Sequence, residues 1–562
     1  MTGSLRPSLR DPRQVMRLSR LGSLHQCRLS FMRILTRRMA DEAWEFSRPI
    51  FNIAADGTGH AVYCAKGPDR TYSLVAFAHD LPSEMRSDRV IAEAWDATFT
   101  LFDGVPTADD IERLSKNVPL QEAGRIRESE LSLSRANRSV RLWKHVVEAL
   151  ASGRQPEAEQ LANVGYLMRT TAVYGSGKFG AADREVIADR PEFSAPFQVE
   201  MLSVFLTRAF VRDLIEHAAQ AKGGETAVRL DTGVARQLGI GNSTGLGMAP
   251  FIVNHPMLFN NWIMAREEAL LRVRQVQRAT DAEIAQFKEM LNRSSRSVSQ
   301  WQSDHPLQVK KLNTLRTDLD AVFSHVAKHD LSVDHPWDQL VRWSEAHLSE
   351  EGQELVNSVV MEPYGHLVDG LSNSLSDCNS DAFLIDGDVT VGTLKELIQK
   401  CFGWALELDW AAPENCAQAW YVSAEKLEPR IGSRFKEPIA EYEQPLAPAR
   451  DAVQAYEELR KWDHDKKISD FLLRHPEHRH TIRRSQISAS APYSEIQDNT
   501  IGEDILPIDM LRAKLSFFGA THFDPRSDRW VRICMFQGAP YPNELTRDNA
   551  DHWVYPNLEG AE

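Results

Sequence analysis

Ala61-Val62-Tyr63-Cys64-Ala65-Lys66, then Gly67-Pro68-Asp69-Arg70, then Thr71-Tyr72-Ser73-Leu74-Val75-Ala76-Phe77-Ala78-His79 is the run on which the reading of the fold turns. Two apolar, β-branched and aromatic stretches flank four residues with the chemistry of a chain reversal, so two antiparallel strands are expected. Residues 88–103 supply a candidate third strand. The expectation is a small antiparallel meander over 46–105, near the N-terminus of a chain that is otherwise mostly helical.

Outward from the meander the period changes. Thr107 with Asp109 and Asp110 marks a helix start, with acids at the positive end of the helix dipole. Leu131, Leu133, Val140, Trp143, Val146, Val147 and Leu150 predict a helix over 128–152, and residues 157–169 read as helical. Val199, Leu202, Phe205, Leu206, Phe210 and Leu214 predict another over 197–220. Further helices are expected at 256–278, 281–292, 306–328, 350–370 and 391–401, and 448–485 reads as helical and charged. The polar run 372–382 is a loop and a domain boundary. Phe402-Gly403 and Phe518-Gly519 each read as a glycine helix stop before an acid (Asp409, Asp524) and a short strand (Trp420-Tyr421-Val422, Trp530-Val531). The fold class is therefore α+β and predominantly helical. It divides into a basic helical segment 1–45, the meander 46–105, a helical domain 106–375 with Gly-rich loops, and a mixed α/β lobe 376–562.

Bulk composition excludes several classes. With 562 residues, 42% apolar and 26% charged, the chain can bury large cores and is not of disordered type. A net charge of -14 argues against nucleic acid as the main partner. No run approaches the length of a membrane helix, and no signal peptide is visible. Cys27, Cys64, Cys378, Cys401, Cys416 and Cys534 form no CxxC pair or zinc-finger spacing, so buried free thiols in a reducing cytoplasm are expected. Nine arginines and one acid, Asp11, lie between Met1 and Arg38. The spacing of Cys27, Phe31, Ile34 and Leu35 favours a packed amphipathic helix with a basic outer face over a transit segment or a partner-binding arm.

Two glycine clusters carry the functional reading. Tyr174-Gly175-Ser176-Gly177-Lys178-Phe179-Gly180 contains GxGxxG, but no strand is read before it and no strand ending in an acid after it. Tyr174, Ser176 and Lys178, with Arg169 just upstream, are candidate substrate contacts. The second cluster runs Leu238-Gly239-Ile240-Gly241-Asn242-Ser243-Thr244-Gly245-Leu246-Gly247, on to Asn254-His255-Pro256. Its low bulk and free amides suit an anion, and Pro256 starts a helix. Ser243, Thr244 and loop amides are expected to hold an oxyanion while His255 moves a proton. Asn242, Asn254, Arg236 and Trp262 complete the candidate substrate site. The stretch 241–256 resembles the serine-containing Gly-rich loop of the fumarase and aspartase lyases, without their Met-Pro-x-Lys-x-Asn run, and no residue role is carried over from them.

The leading expectation is thus an enzyme of lyase or hydrolase type. It would do cofactor-independent acid–base chemistry on a small anionic substrate, aromatic ones included, with no nucleic-acid or membrane partner, no metal, and homo-oligomer formation left open. The alternatives are an assembly protein docking through its basic N-terminus and a nucleotide-binding protein using 175–180. His475-Pro476-Glu477-His478-Arg479-His480 is dense in donors, but Arg474, Arg479, Arg483 and Arg484 crowd it and Pro476 breaks a regular helix, so a solvated face is expected. His79-Asp80 reads as an acid–base pair or a turn, with the turn preferred.

Overall fold

The computed structural model describes residues 7–79, 95–120, 126–140, 142–170, 187, 189–242, 256–303, 305–375, 383–412, 420–423, 428–430, 440–443, 447–496, 507–519 and 533–555. The chain forms two compact units that interleave in sequence. One, the sheet unit, takes residues 30–245, 518–524 and 532–562; the other, the helical unit, takes 1–29, 246–517 and 525–531.

Strands in chain order are β1 (Glu45–Ile53), β2 (Gly59–Lys66), β3 (Thr71–Ala78), β4 (Ala97–Asp103), β5 (Glu130–Arg138), β6 (Tyr166–Thr170), β7 (Gly239–Asn242), β8 (Trp420–Ser423), β9 (Glu428–Arg430), β10 (Ala440–Glu443) and β11 (Ile533–Met535). β8, β9 and β10 make a three-stranded sheet in the order β10-β8-β9. The other eight form one sheet in the order β1-β2-β3-β4-β5-β6-β7-β11. All its pairs are antiparallel except β6 with β7, which is parallel.

This corrects the expected fold class. The chain is mainly helical, but its sheet is large and is not confined to 46–105. It recruits β5, β6 and β7 from the stretch read as helical and β11 from near the C-terminus. The misreading has a physical cause. β5 alternates Leu131 and Leu133 with Ser132 and Ser134, all four buried, because both faces of the sheet are covered. An apolar stripe then no longer separates strand from helix. β6 is five residues, all buried, set off by Gly165 in the left-handed conformation that ends the preceding helix. Residues 239–242, read as loop, are strand β7.

The helices of the sheet unit are α1 (Phe31–Asp41), α2 (Ala108–Asn117), α3 (Trp143–Ala151), α4 (Ala158–Val164), α5 (Gln198–Gly223) and α6 (Thr232–Arg236). The helix start expected at Thr107 is present, and the structure adds a capping box with Asp110 as its reciprocal partner. On one face of the sheet Leu114 of α2 and Val118 just past its end pack on Val62, Cys64, Val75, Phe77 and Leu133. On the other, Phe210 of α5 meets Tyr63 and Phe99 edge-on, with centroids 6.2 and 5.6 Å apart. Each such buried side chain contributes about 1.5–3 kcal/mol.

In the helical unit α7 (Pro256–Arg274), α8 (Asp281–Gln300), α9 (Pro306–Lys328), α10 (Pro336–His347), α11 (Glu350–Val359), α12 (Val391–Leu406), α13 (Ala447–Leu459), α14 (Ile468–Arg474), α15 (Arg479–Ser490) and α16 (Pro507–Phe518) follow in order. Trp262 of α7 stacks on Phe517 of α16 with centroids 3.7 Å apart. Leu394, Ile398, Phe402, Phe471 and Ile482 centre a second core among α12–α15. Phe402-Gly403 does not end a helix: it lies within α12, where Phe402 takes a non-helical φ/ψ and kinks it. Gly519, by contrast, has φ +85 just past α16, as a stop requires. Asp524, Trp530 and Val531 lie outside the described residues.

Of the arginines expected on an outer N-terminal face, Arg10, Arg20, Arg28 and Arg33 are buried and paired instead. Arg10 grips Glu267 through Nε and Nη2 (both 2.7 Å) and Glu354 through Nη1 (2.7 Å). Arg20 also reaches Glu354 (3.0 Å), and Arg28 forks onto Asp369. In the sheet unit Arg33 and Arg37 of α1 share Asp551. Cys27, Cys64, Cys401 and Cys534 are buried free thiols. Among the described residues no helix is long and apolar enough to cross a membrane.

Candidate functional site

A single row of paired residues crosses six strands of the sheet: Ala78, Ala97, Ala136, Thr170, Asn242 and Ile533. The stretches 80–94, 171–186, 243–255 and 520–532, all outside the described residues, join the sheet within three residues of this row. β6 and β7 run parallel and side by side, and both end on it. The two glycine clusters noted in the sequence therefore follow neighbouring strand ends. In sheets with parallel strands, ligands bind beyond the carboxyl ends of such strands.

Local chemistry fixes this pair. Arg208 of α5, fully buried, donates from Nε to the Leu238 carbonyl (2.6 Å) and from Nη1 to that of Ala539 (2.7 Å), and stacks on Tyr541. It holds the chain that enters β7. The glycines of β7 serve close packing. A Cβ on Gly241 would meet the Tyr166 ring at 2.6 Å, and one on Gly239 the Met535 carbonyl at 2.3 Å. Two of the four glycines read as an anion nest are thus strand residues whose hydrogens make room for their neighbours.

Just past the row, in the direction β6 and β7 run, stand Thr98 and its cross-strand partner Arg135. Arg135 lies over the face of Trp95, 3.9 Å from its centroid. Among the described residues it has no carboxylate partner. Burial alone pulls its pKa down, and its Nε has no hydrogen-bond partner. A half-buried guanidinium stacked on an indole, with donors unused, suits a planar anion. The Thr98 hydroxyl lies 3.2 Å from Nε2 of His79 at the end of β3. Burial lowers the His79 pKa, with Asp96 opposing, so the imidazole is neutral and basic near pH 7. Asp96 is itself buried and held: its carboxylate accepts from the Arg138 amide (2.8 Å), and its own amide donates to Asn137 Oδ1 (3.2 Å).

Of the residues singled out from sequence, Tyr174, Ser176, Lys178, Ser243, Thr244, Asn254 and His255 lie outside the described residues. Arg169 and Asn242 are brought to adjacent strands at the row, both buried. Arg236 is placed elsewhere, paired with Glu544 at 3.0 Å, and Asp231 caps α6. Trp262 lies in the helical unit, fully buried, its Nε1 donating to the Leu29 carbonyl at 3.2 Å. It is a core residue there. Sequence reasoning missed Arg135, Asp96 and Thr98, and took His79 chiefly as a turn. The available signal was an arginine and a histidine at strand positions whose neighbours are small or apolar. No protein-family model, curated protein or solved structure matches the chain, so the chemistry of this row stands where a family name would.

Proposed function

We propose that the chain is an enzyme of lyase or hydrolase type that acts on a small anionic organic molecule held beyond the carboxyl ends of β6 and β7. Arg135 takes the anion, and the Trp95 face beneath it favours planar or aromatic acids. His79 accepts the proton as general base, and Asp96 stabilises the imidazolium that results. The observation that supports this reading is an arginine without a carboxylate partner among the described residues, one residue past the ends of two parallel strands, paired across the strands with Thr98, whose hydroxyl lies 3.2 Å from the His79 imidazole. Thr170 adds a buried hydroxyl without a hydrogen-bond partner among the described residues at the same row. Ser243 and Thr244, which follow directly after Asn242 in the chain, and His255 thirteen residues beyond it extend the same proposal.

Thermal melts against inorganic phosphate, benzoate, fumarate and malate test it. An anion bound at a hundred times its Kd adds about 2.7 kcal/mol to native stability. At least one probe should raise the melting temperature of the wild-type chain and not that of Arg135→Gln. Mass spectrometry of the stabilising compound should then show gain or loss of water, or a hydrolysed bond, with wild type and not with His79→Gln. No shift with any probe, or a shift that survives in Arg135→Gln, removes the reading.

One observation favours nucleotide binding as a second reading. β6, α5 and β7 form a parallel crossover, and Gly175, Gly177 and Gly180 follow β6. ATP and NAD in the same melts separate the two. The assembly reading has less support, because Arg10, Arg20 and Arg28 of the basic segment are engaged by acids of their own unit.

A further inference from the structure

We infer that His475, Glu477 and His478 form a binding site for a zinc-class divalent transition metal. Their donor atoms all lie within 4.8 Å of one another. Glu477 Oε1 is 3.3 Å from His475 Nδ1 and 3.9 Å from His478 Nε2. Tetrahedral coordination at bond lengths of about 2.0–2.1 Å places ligand atoms about 3.3–3.4 Å apart, so of the three donor pairs His475–Glu477 already has the required spacing, while Glu477–His478 and His475–His478 must close by side-chain rotation. Two imidazoles and a carboxylate match zinc better than magnesium or calcium, which favour all-oxygen shells. Three protein ligands leave the fourth position to water.

The features that argued against a metal in the sequence work differently in the fold. Pro476 does not scatter the imidazoles. It opens a 3-10 turn, Pro476–His478, closed by the His478 amide donating to the His475 carbonyl at 3.2 Å. Residues three apart eclipse in that geometry, which brings His475 and His478 to one side. Both rings stack on buried Phe471, with centroids 4.8 and 6.0 Å away, which limits how far they can turn. Three of the four arginines are occupied. Arg474 lies over the Trp462 face, Arg484 pairs with buried Glu495, and Arg479 donates to His480.

Titration of zinc into the full chain by calorimetry tests the site, with cobalt substitution as a spectroscopic readout. One equivalent should bind, raise the melting temperature, and give with cobalt the intense visible bands of a four-coordinate ion. His475→Ala/His478→Ala should weaken binding by more than about tenfold. Glu477→Gln, at an exposed position with no packing role, should weaken it while leaving the metal-free melt unchanged. Zinc binding that is equal in wild type and the double variant, or a weak six-coordinate cobalt spectrum, overturns the inference.

Discussion

Arg10 in the helical unit and Arg135 in the sheet unit are both drawn out of water, yet they are treated in opposite ways. Arg10 is buried between Glu267 and Glu354 with its donors satisfied, and its pKa is raised well above the ordinary value although burial alone would lower it. Arg135 is half-buried on an indole face with no acid opposite among the described residues, and its pKa falls. The fold neutralises the first, whereas the second meets no counter-charge among the described residues. A desolvated charge whose partner is supplied within its own unit is structural; the proposal for Arg135 is that a ligand supplies the counter-charge instead. The comparison also explains why a run of nine arginines in the first 38 residues says little about partners. Those that are buried meet carboxylates from distant parts of the sequence.

The largest test of this contrast is Glu354→Gln. Glu354 accepts from Arg10 and Arg20 and lies 4.0 Å from Arg266. Although burial pushes its carboxyl up, Arg10, Arg266 and Arg20 draw it down to about 2. Removing the charge leaves buried cations short of a partner, which costs about 3–5 kcal/mol. Urea melts at pH 7 should show that loss. Because the folded pKa is depressed, this stabilisation is fully present above the unfolded pKa near 4.5 and is lost as pH falls from there towards 2. The wild type should therefore lose stability across that window more steeply than Glu354→Gln. A loss under about 1 kcal/mol at pH 7 would mean the network is dispensable and the contrast with Arg135 empty.

Lys514 on α16 sharpens the same point within the helical unit. It is fully buried, its amine has no hydrogen-bond partner among the described residues, and desolvation lowers its pKa to about 7. Below pH 7 both folded and unfolded chains carry the charge, and the folded chain bears its full burial penalty. Between pH 7 and the unfolded value near 10.5 the unfolded chain holds more protons, so stability rises with pH by about 1.4 kcal/mol per unit from this group. Lys514→Met should be more stable than wild type at pH 6 by about 2–4 kcal/mol, with the difference shrinking towards pH 10. Parallel profiles for the two proteins would show that the amine has a partner.

How much of this was legible beforehand depends on where each element's evidence lies. α9 matches the expected 306–328, and β2 and β3 lie within a few residues of the stretches around Gly67-Pro68, because their signals are local: caps, periodicity and a turn. β5, β6, β7 and β11 were illegible because a short strand buried on both faces has no polar side to betray its period, and its partners lie far away in sequence. The glycines at 239 and 241 looked like a loop for the same reason. Only the neighbouring Tyr166 ring and Met535 carbonyl reveal that they make room for packing. Arg169 and Asn242 were named from the sequence because each adjoins a glycine cluster; strand pairing puts them on adjacent strands one step out of register, Arg169 opposite Gly241 and Asn242 opposite Thr170. Arg135 could not be found that way. Its distinction is a missing partner, and a partner's absence exists only once the chain is folded.

The smallest expected effect is the one that separates the two arginines most sharply. Replacing Arg10 with Gln strands Glu267 and Glu354 without their main counter-charge and should cost several kcal/mol, about the 3–5 found when one side of a buried pair is removed. Among the described residues, replacing Arg135 with Gln breaks no ion pair and no hydrogen bond, and relieves a desolvation penalty while giving up the cation–π contact with Trp95, which is about 0.5–1 kcal/mol at a partly exposed site. The two terms nearly cancel, so the ligand-free melt of Arg135→Gln should match the wild type to within about 0.5 kcal/mol. A loss of 2 kcal/mol or more in that variant would place Arg135 beside Arg10, as a residue kept for the fold, and would take the anion site with it.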